Sequence, residues 1–154
     1  SQYDVNVSIV RPCHCYGPTM TDTDSRAISQ FIRLGVENRD IVLKSDGSMV
    51  RTHCYVTDAA AAMFYVLFKS KAGEAYNIAD NDSVASIREV ASIICRSMGR
   101  EIIFDLPDET EKSGFSKVTR AVLDGTKIKE LGWNLKLMQK MLFMSELIEQ
   151  EKFL

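Results

Sequence analysis

Glycine is the informative scarcity in this chain of 154 residues. Gly17, Gly35, Gly47, Gly73, Gly99, Gly114, Gly125 and Gly132 stand singly, so neither a G-x-G-x-x-G turn nor a phosphate-binding P-loop can be assembled from them. A dinucleotide cradle of the usual kind is therefore excluded from these residues. Long apolar runs are also missing: the longest, Ala59 to Phe68, is far below the roughly 20 residues that cross a bilayer. The first residues are polar and carry no signal-peptide pattern. The expectation is a soluble, cytoplasmic protein without a membrane partner. Charge of one sign is lacking too, with 19 basic against 21 acidic residues and a net charge of −2. No basic cluster is present to displace counterions from a phosphate backbone, and nucleic acid is not an expected partner.

Cys13, Cys15, Cys54 and Cys95 do not have the spacing of a small secreted disulfide scaffold, and reduced thiols are expected. Cys13-His14-Cys15, with His53-Cys54 further on, offers donors of the type zinc takes. In an extended segment, however, the two cysteines turn to one face and His14 to the other. Structural zinc sites draw ligand pairs two to four residues apart across a turn. The reading is no metal and buried, inert cysteines.

What is present is a hydrophobic content of 45%, enough for one globular domain with a core. Val5 to Val10 reads as a strand with apolar side chains on both faces, as in a buried parallel sheet. Ile28, Phe31, Ile32 and Val36 predict a helix of about three to four turns. Ile41 to Leu43 and Val50 to Val56 read as two strands joined by Asp46-Gly47 in a hairpin. Asp58 or Thr57 is read as the cap of a buried helix running from Ala59 to Lys69. Glu74 to Ala79 is a further strand, and Ser86 with Glu89 predicts a capping box on a helix that Gly99 ends. Ile102 to Phe104 reads as a short strand and Asp108 to Thr119 as a loop. A short helix over Asp124 to Leu131, ended by Gly132, and an amphipathic one from Leu137 to Phe153 complete the chain. Alternating strands and helices give the class α/β.

The order of segments resembles the later half of the extended short-chain dehydrogenases, the family of NAD-dependent nucleotide-sugar epimerases, dehydratases and decarboxylases. The residues that carry the resemblance begin with Arg11-Pro12-Cys13-His14-Cys15-Tyr16-Gly17-Pro18, similar to R-x-x-N-x-Y-G-P, and Arg26 to Ile32, similar to a substrate-side helix. They continue with Gly47, Arg51, Tyr55, Val56 and Asp58 in a G-D-G-x-x-x-R and Y-V-x-D arrangement, then Gly73 to Ile78, Ser86 to Glu89 and Leu131-Gly132-Trp133. The resemblance implies a fold made of one last Rossmann strand plus a small α/β substrate domain. Residues 1–154 are then the nucleotide-sugar-binding C-terminal portion, and the NAD-binding Rossmann part is expected ahead of Ser1.

The resemblance also implies site residues. Arg51 falls where the family sets a guanidinium against the nucleotide diphosphate, a polyanion that a planar fork of donors suits. Val42 and Lys44 match the strand passing the nucleobase, and Lys44 stands where an aromatic residue is common. His14 takes the place of a frequent Asn near the diphosphate and sugar. Ala27 and Ile28 match positions lining the nucleotide-sugar cleft, with core packing the alternative for both. Lys117 and Arg120 lie in a loop that often supplies a second phosphate-binding residue, and the sequence does not choose between them. Pro12 and Cys13 match the wall at the nicotinamide end of the cofactor.

Family members oxidise a sugar hydroxyl transiently by hydride transfer to NAD or NADP, using a tyrosine with a lysine four residues on. That pair is expected on a helix ahead of Ser1, and the chain is read as holding none of its own, so no catalytic residue is assigned within it. The expectation is a fragment that binds no cofactor, is inactive alone, takes a nucleoside diphosphate-sugar weakly and forms a homo-oligomer. The alternative reading is a non-catalytic nucleotide-sugar-binding or scaffold module.

Overall fold

The computed structural model describes residues 5–18, 20–106, 108 and 118–134. It divides into two compact units. The first holds the described residues of 5–17, 52–84 and 122–134, and the second those of 18–51 and 85–121.

In the first unit β1 (Ile9–Pro12) runs parallel to β5 (Ala75–Ile78), with Ile9 opposite Ala75 and Pro12 opposite Ile78. After a one-residue corner at Cys13, β2 (His14–Tyr16) runs parallel to the end of β4 (Val50–Tyr55), pairing His14 with His53 and Cys15 with Cys54. On the other side of β4, His53 donates its backbone N–H to the Ser83 carbonyl at 2.9 Å, just ahead of β6 (Val84–Ser86). The helix α2 (Val56–Lys69) follows β4 directly and packs on β1, β2 and β5. The short helix α4 (Thr126–Glu130) packs on β5, and Gly132 beyond it takes a φ of +92°.

In the second unit α1 (Ala27–Val36) packs on α3 (Ile87–Ser97), burying Phe31 and Ile32 from one helix and Val90 and Ile94 from the other. Ser86 and Glu89 form the expected capping box: the Ser86 hydroxyl accepts from the Glu89 N–H at 3.1 Å, and the Glu89 carboxylate accepts from the Ser86 N–H at 2.7 Å. The Ser86 N–H, and then the Ser86 hydroxyl at 2.8 Å, donate to the Glu89 carboxylate and hold it below the usual carboxylate range. Gly99, with φ +67°, follows α3 as the stop signal predicted.

Several expectations are corrected. The Asp46-Gly47 turn forms, with Gly47 at φ +70°, but no hairpin does. The carbonyls of the turn are taken by Arg88, whose Nε donates to Asp46 O at 2.7 Å and whose N–H donates to Gly47 O at 2.9 Å. The flanking segments therefore part. β3 (Val42–Leu43) runs parallel to β7 (Ile103–Phe104), and the start of β4 runs parallel to β8 (Arg120–Ala121).

Helix α2 starts at Val56, three residues before the expected Ala59, so Asp58 lies in its first turn and is not its cap. Its carboxylate still sits where the partial positive charge of a helix N-terminus favours it. Nor is α2 buried all round: Ala59, Ala62 and Val66 are covered, while Leu67 is 70% and Phe68 76% exposed. The first strand is shorter than expected, and Val5, Val7 and Ile9 are exposed. The strands β2, β6 and β8 were not foreseen, being only two or three residues long. The amphipathic segment Leu137 to Phe153 lies outside the described residues.

Candidate functional site

In the second unit the candidate site centres on Arg51, whose place is fixed by β4 and its partner β8. The Arg51 guanidinium donates to the Val50 carbonyl at 2.9 Å and to the Val118 carbonyl at 2.9 Å. Among the described residues no carboxylate pairs with it. A guanidinium held by neutral carbonyls keeps its full positive charge and remaining donors for an anion, and its planar fork suits the paired oxygens of a phosphate.

Arg120 is in β8 and not in a loop as expected. The register sets Arg120 opposite Val50 and Ala121 opposite Arg51. Side chains alternate along a strand, so Arg120 and Arg51 leave the sheet on opposite faces. The structure does not bring them together. Lys117 lies outside the described residues.

Val42 stands opposite Ile103 in the β3–β7 pair, and both are exposed. Lys44, one residue beyond β3, forms an ion pair with Asp105 at 3.1 Å, one residue beyond β7. Both partners are largely exposed, so this contact positions Lys44 more than it stabilises the fold. Asp105 was missed by sequence reasoning because only the parallel register of β3 with β7 places it beside Lys44. Ala27 opens α1 half-buried, and Ile28 is 2% exposed within the core of this unit. Only the first has side-chain surface to offer a ligand.

In the first unit His14 and His53 face one another across β2 and β4, with ring centroids 5.9 Å apart. On the other face of the same pair lie the thiols of Cys15 and Cys54. Pro12 closes β1 and is exposed; Cys13 follows at the corner, half-buried, with its N–H donating to Ile78 O at 3.1 Å. The neighbouring Cys54 thiol draws the Cys13 thiol below its ordinary range. The neighbouring Cys13, with burial, pushes Cys54 up, and the Cys54 thiol donates to the Tyr55 carbonyl at 3.5 Å. Tyr16, buried and edge-on to Tyr55 at 5.6 Å between ring centroids, is also pushed up by burial. Among the described residues no group of three or more His, Cys, Asp or Glu is arranged to hold a metal ion.

One reading of the sequence is wrong on the sequence itself. Lys69 follows Tyr65 by four residues, so the chain does hold a tyrosine–lysine pair at that spacing. On α2 the Lys69 ammonium lies over the face of the Tyr65 ring, 4.6 Å from its centroid. This is a cation–π contact between neighbouring turns of one helix, with the charge over the ring face and not shown at the phenol oxygen.

Comparison with known proteins agrees with the order of motifs. The chain is 32% identical over 128 residues to a UDP-N-acetyl-alpha-D-glucosaminuronate decarboxylase of Bacillus cytotoxicus, covering 81% of the chain and 40% of that protein. It is 29% identical over 143 residues to the human dTDP-D-glucose 4,6-dehydratase, covering 88% of the chain and 39% of that protein. The chain thus spans about two fifths of the length of these relatives. Its fold matches a UDP-glucose 4-epimerase of Thermotoga maritima solved with UDP-glucose, with a TM-score of 0.79 at 22% identity, over 99% of the chain and 47% of that structure. Residues 1–79 match the profile of the NAD dependent epimerase/dehydratase family, and this chain belongs to that family.

Proposed function

We propose that this chain supplies the nucleotide-sugar site of an NAD-dependent epimerase, dehydratase or decarboxylase that works by transient oxidation of the sugar. The observation that carries this reading is the Arg51 guanidinium, tethered by the Val50 and Val118 carbonyls with no carboxylate on it among the described residues. An arginine so held is pre-positioned for a diphosphate, because little side-chain freedom remains to be lost on binding. In the second unit Val42 and the Lys44–Asp105 pair are assigned to the nucleobase end, with Ala27 beside the nucleotide sugar. In the first unit His14 is assigned to the sugar and diphosphate, where an imidazole can donate a hydrogen bond or carry charge. Ile28 and Arg120 are set aside from direct contact, the one by burial and the other by the face it occupies.

NAD, when bound, supplies the hydride acceptor. The residues that fit it here are Pro12 and Cys13, as a wall, since the corner after β1 leaves Pro12 exposed and Cys13 half-open. The scattered glycines of the chain provide no pyrophosphate cradle, and no step of the reaction is assigned to these residues. The same reading gives a chain inactive by itself, cytoplasmic, and self-associating through the bare side chains of Val5, Val7 and Ile9. Among the described residues no helix is long and apolar enough to cross a membrane.

Titration of the chain with UDP, followed by calorimetry or by amide shifts in NMR, tests the proposal. Binding that Arg51→Ala weakens by about tenfold or more, the scale of a charge-assisted bond of about 1.5–3 kcal/mol, is expected. Shifts equal in the wild type and Arg51→Ala would sink it.

A further inference from the structure

The pair β3 and β7 in the second unit presents two faces of different character. Ile41 and Leu43 are buried, while Val42 and Ile103, opposite one another in the register, are exposed on the outer face. The ladder runs one bond past these strands, since the Asp105 N–H donates to the Leu43 carbonyl at 3.0 Å. Alternation along the two strands returns Lys44 and Asp105 to the face of Val42 and Ile103, where the ammonium and a carboxylate oxygen lie 3.1 Å apart. Phe104 shares the other face with Leu43, and one side of its ring is taken by the Arg88 guanidinium, 5.0 Å from the centroid. The outer face is thus a small aliphatic floor with a cation and an anion side by side at its end.

We propose that this face selects a guanine base, which makes a guanosine diphosphate-sugar the substrate class, with Asp105 the specificity-determining residue. The inference rests on the reading that sets Val42 and the Lys44–Asp105 pair at the nucleobase end. A planar heterocycle laid on Val42 and Ile103 removes apolar surface from water without needing an aromatic side chain beneath it. Its hydrogen-bonding edge then meets Lys44 and Asp105.

The bases differ in what that edge offers. Guanine presents an acceptor at O6 and then two donors, N1–H and the N2 amino group. Uracil and thymine present acceptor, donor, acceptor; cytosine presents donor, acceptor, acceptor; adenine presents one donor and one acceptor. A carboxylate accepts through two oxygens, and an ammonium only donates. Asp105 can take both guanine donors while Lys44 gives to O6, and three N–H groups let the ammonium bond to Asp105 and O6 at once. With uracil the second carboxylate oxygen faces the O2 acceptor, and the two repel. A site built to accept two donors rejects a base that offers one, because its buried acceptor is left unmatched.

Calorimetric titration of the chain with GDP and with UDP tests the assignment, with the methyl shifts of Val42 and Ile103 in NMR as the local report. GDP is expected to bind about tenfold more tightly than UDP, the scale of one charge-assisted hydrogen bond, and to shift both sets of methyls. Asp105→Asn replaces one acceptor by a donor. GDP affinity should then fall about tenfold, while that of UDP holds or rises because its O2 now meets an N–H. An exposed ion pair contributes little to folding, so the variant is expected to fold as the wild type does. GDP and UDP bound equally by the wild type, or a preference unchanged in Asp105→Asn, overturns the inference. If Arg51→Ala weakens both nucleotides in that case, the diphosphate reading of Arg51 stands without it. Binding of neither nucleotide overturns both.

Discussion

Trp133 donates its indole N–H to the main-chain carbonyl of Asp58 at 3.2 Å, both residues being buried in the same unit. The carbonyl belongs to the first turn of α2, so one side chain after α4 reaches the start of a helix 75 positions away in sequence. Trp133→Phe keeps an aromatic filler and removes the donor, with an expected loss of about 1 kcal/mol. Trp133→Ala also opens a cavity and should cost about 3–5 kcal/mol. Urea unfolding of the variants checks both values, and a Trp133→Phe variant as stable as the wild type would show that the hydrogen bond contributes little beyond packing.

Ser86 closes the capping box on α3, and Ser86→Ala should cost about 1 kcal/mol. Ser86→Gly should cost only a few tenths of that order. A midpoint shift in urea at unchanged slope is the measurement.

Gly125 precedes α4 with its backbone pressed on the chain around Ala79: an added Cβ would lie 1.8 Å from the Ala79 carbonyl oxygen. The neighbour is backbone and cannot swing aside. Gly125→Ala is therefore expected to cost about 3 kcal/mol, at the upper end of ordinary overpacking, and amide exchange around α4 and β5 should rise first. Gly73→Ala, where an added Cβ meets nothing within 4 Å but φ is +82°, should cost only about 1–2 kcal/mol for the backbone conformation.

Asp24 is held well below the usual carboxylate range, first by its bond from Arg26 and then by that from Ser29. Its folded pKa is depressed, so the stability it contributes is present above the ordinary carboxylate pKa and is lost as pH falls through the depressed one. At about pH 3, where an ordinary aspartate is largely protonated, its carboxyl carbon should still report the ionised form in NMR. Arg26→Ala should move that titration upward.

Arg51→Lys separates charge from shape. An ammonium keeps the positive charge but cannot hold the Val50 and Val118 carbonyls while also presenting a fork to a diphosphate. UDP affinity intermediate between wild type and Arg51→Ala is expected by calorimetry. Full retention in Arg51→Lys would show that only charge matters.

Much of the local structure was legible because its causes are local. The capping box at Ser86 and Glu89 and the glycine stops at Gly99 and Gly132 depend on residues within one or two turns, and each formed as read. Arg51 was legible through a motif. Its carbonyl tethers were not, since Val118 lies 67 positions away. The hairpin failed for a similar reason: Asp46-Gly47 has the chemistry of a tight turn, but Arg88 takes its carbonyls and the flanking strands find distant parallel partners. The exposed Leu67 and Phe68 on α2 were misread because composition records apolar side chains and not whether anything covers them.

By itself the sequence determined the α/β class, the family and the positions of most helices, because these follow from periodicity, caps and motifs carried by neighbouring residues. Tertiary structure alone decided which strand lies beside which, and with that the facing of His14 and His53, the pairing of Cys15 with Cys54, the Lys44–Asp105 pair and the separation of Arg120 from Arg51. The physical reason is that parallel strands pair across long loops. A one-residue change of register would send every side chain to the other face, and nothing within a strand of two to six residues states which register its partner will take.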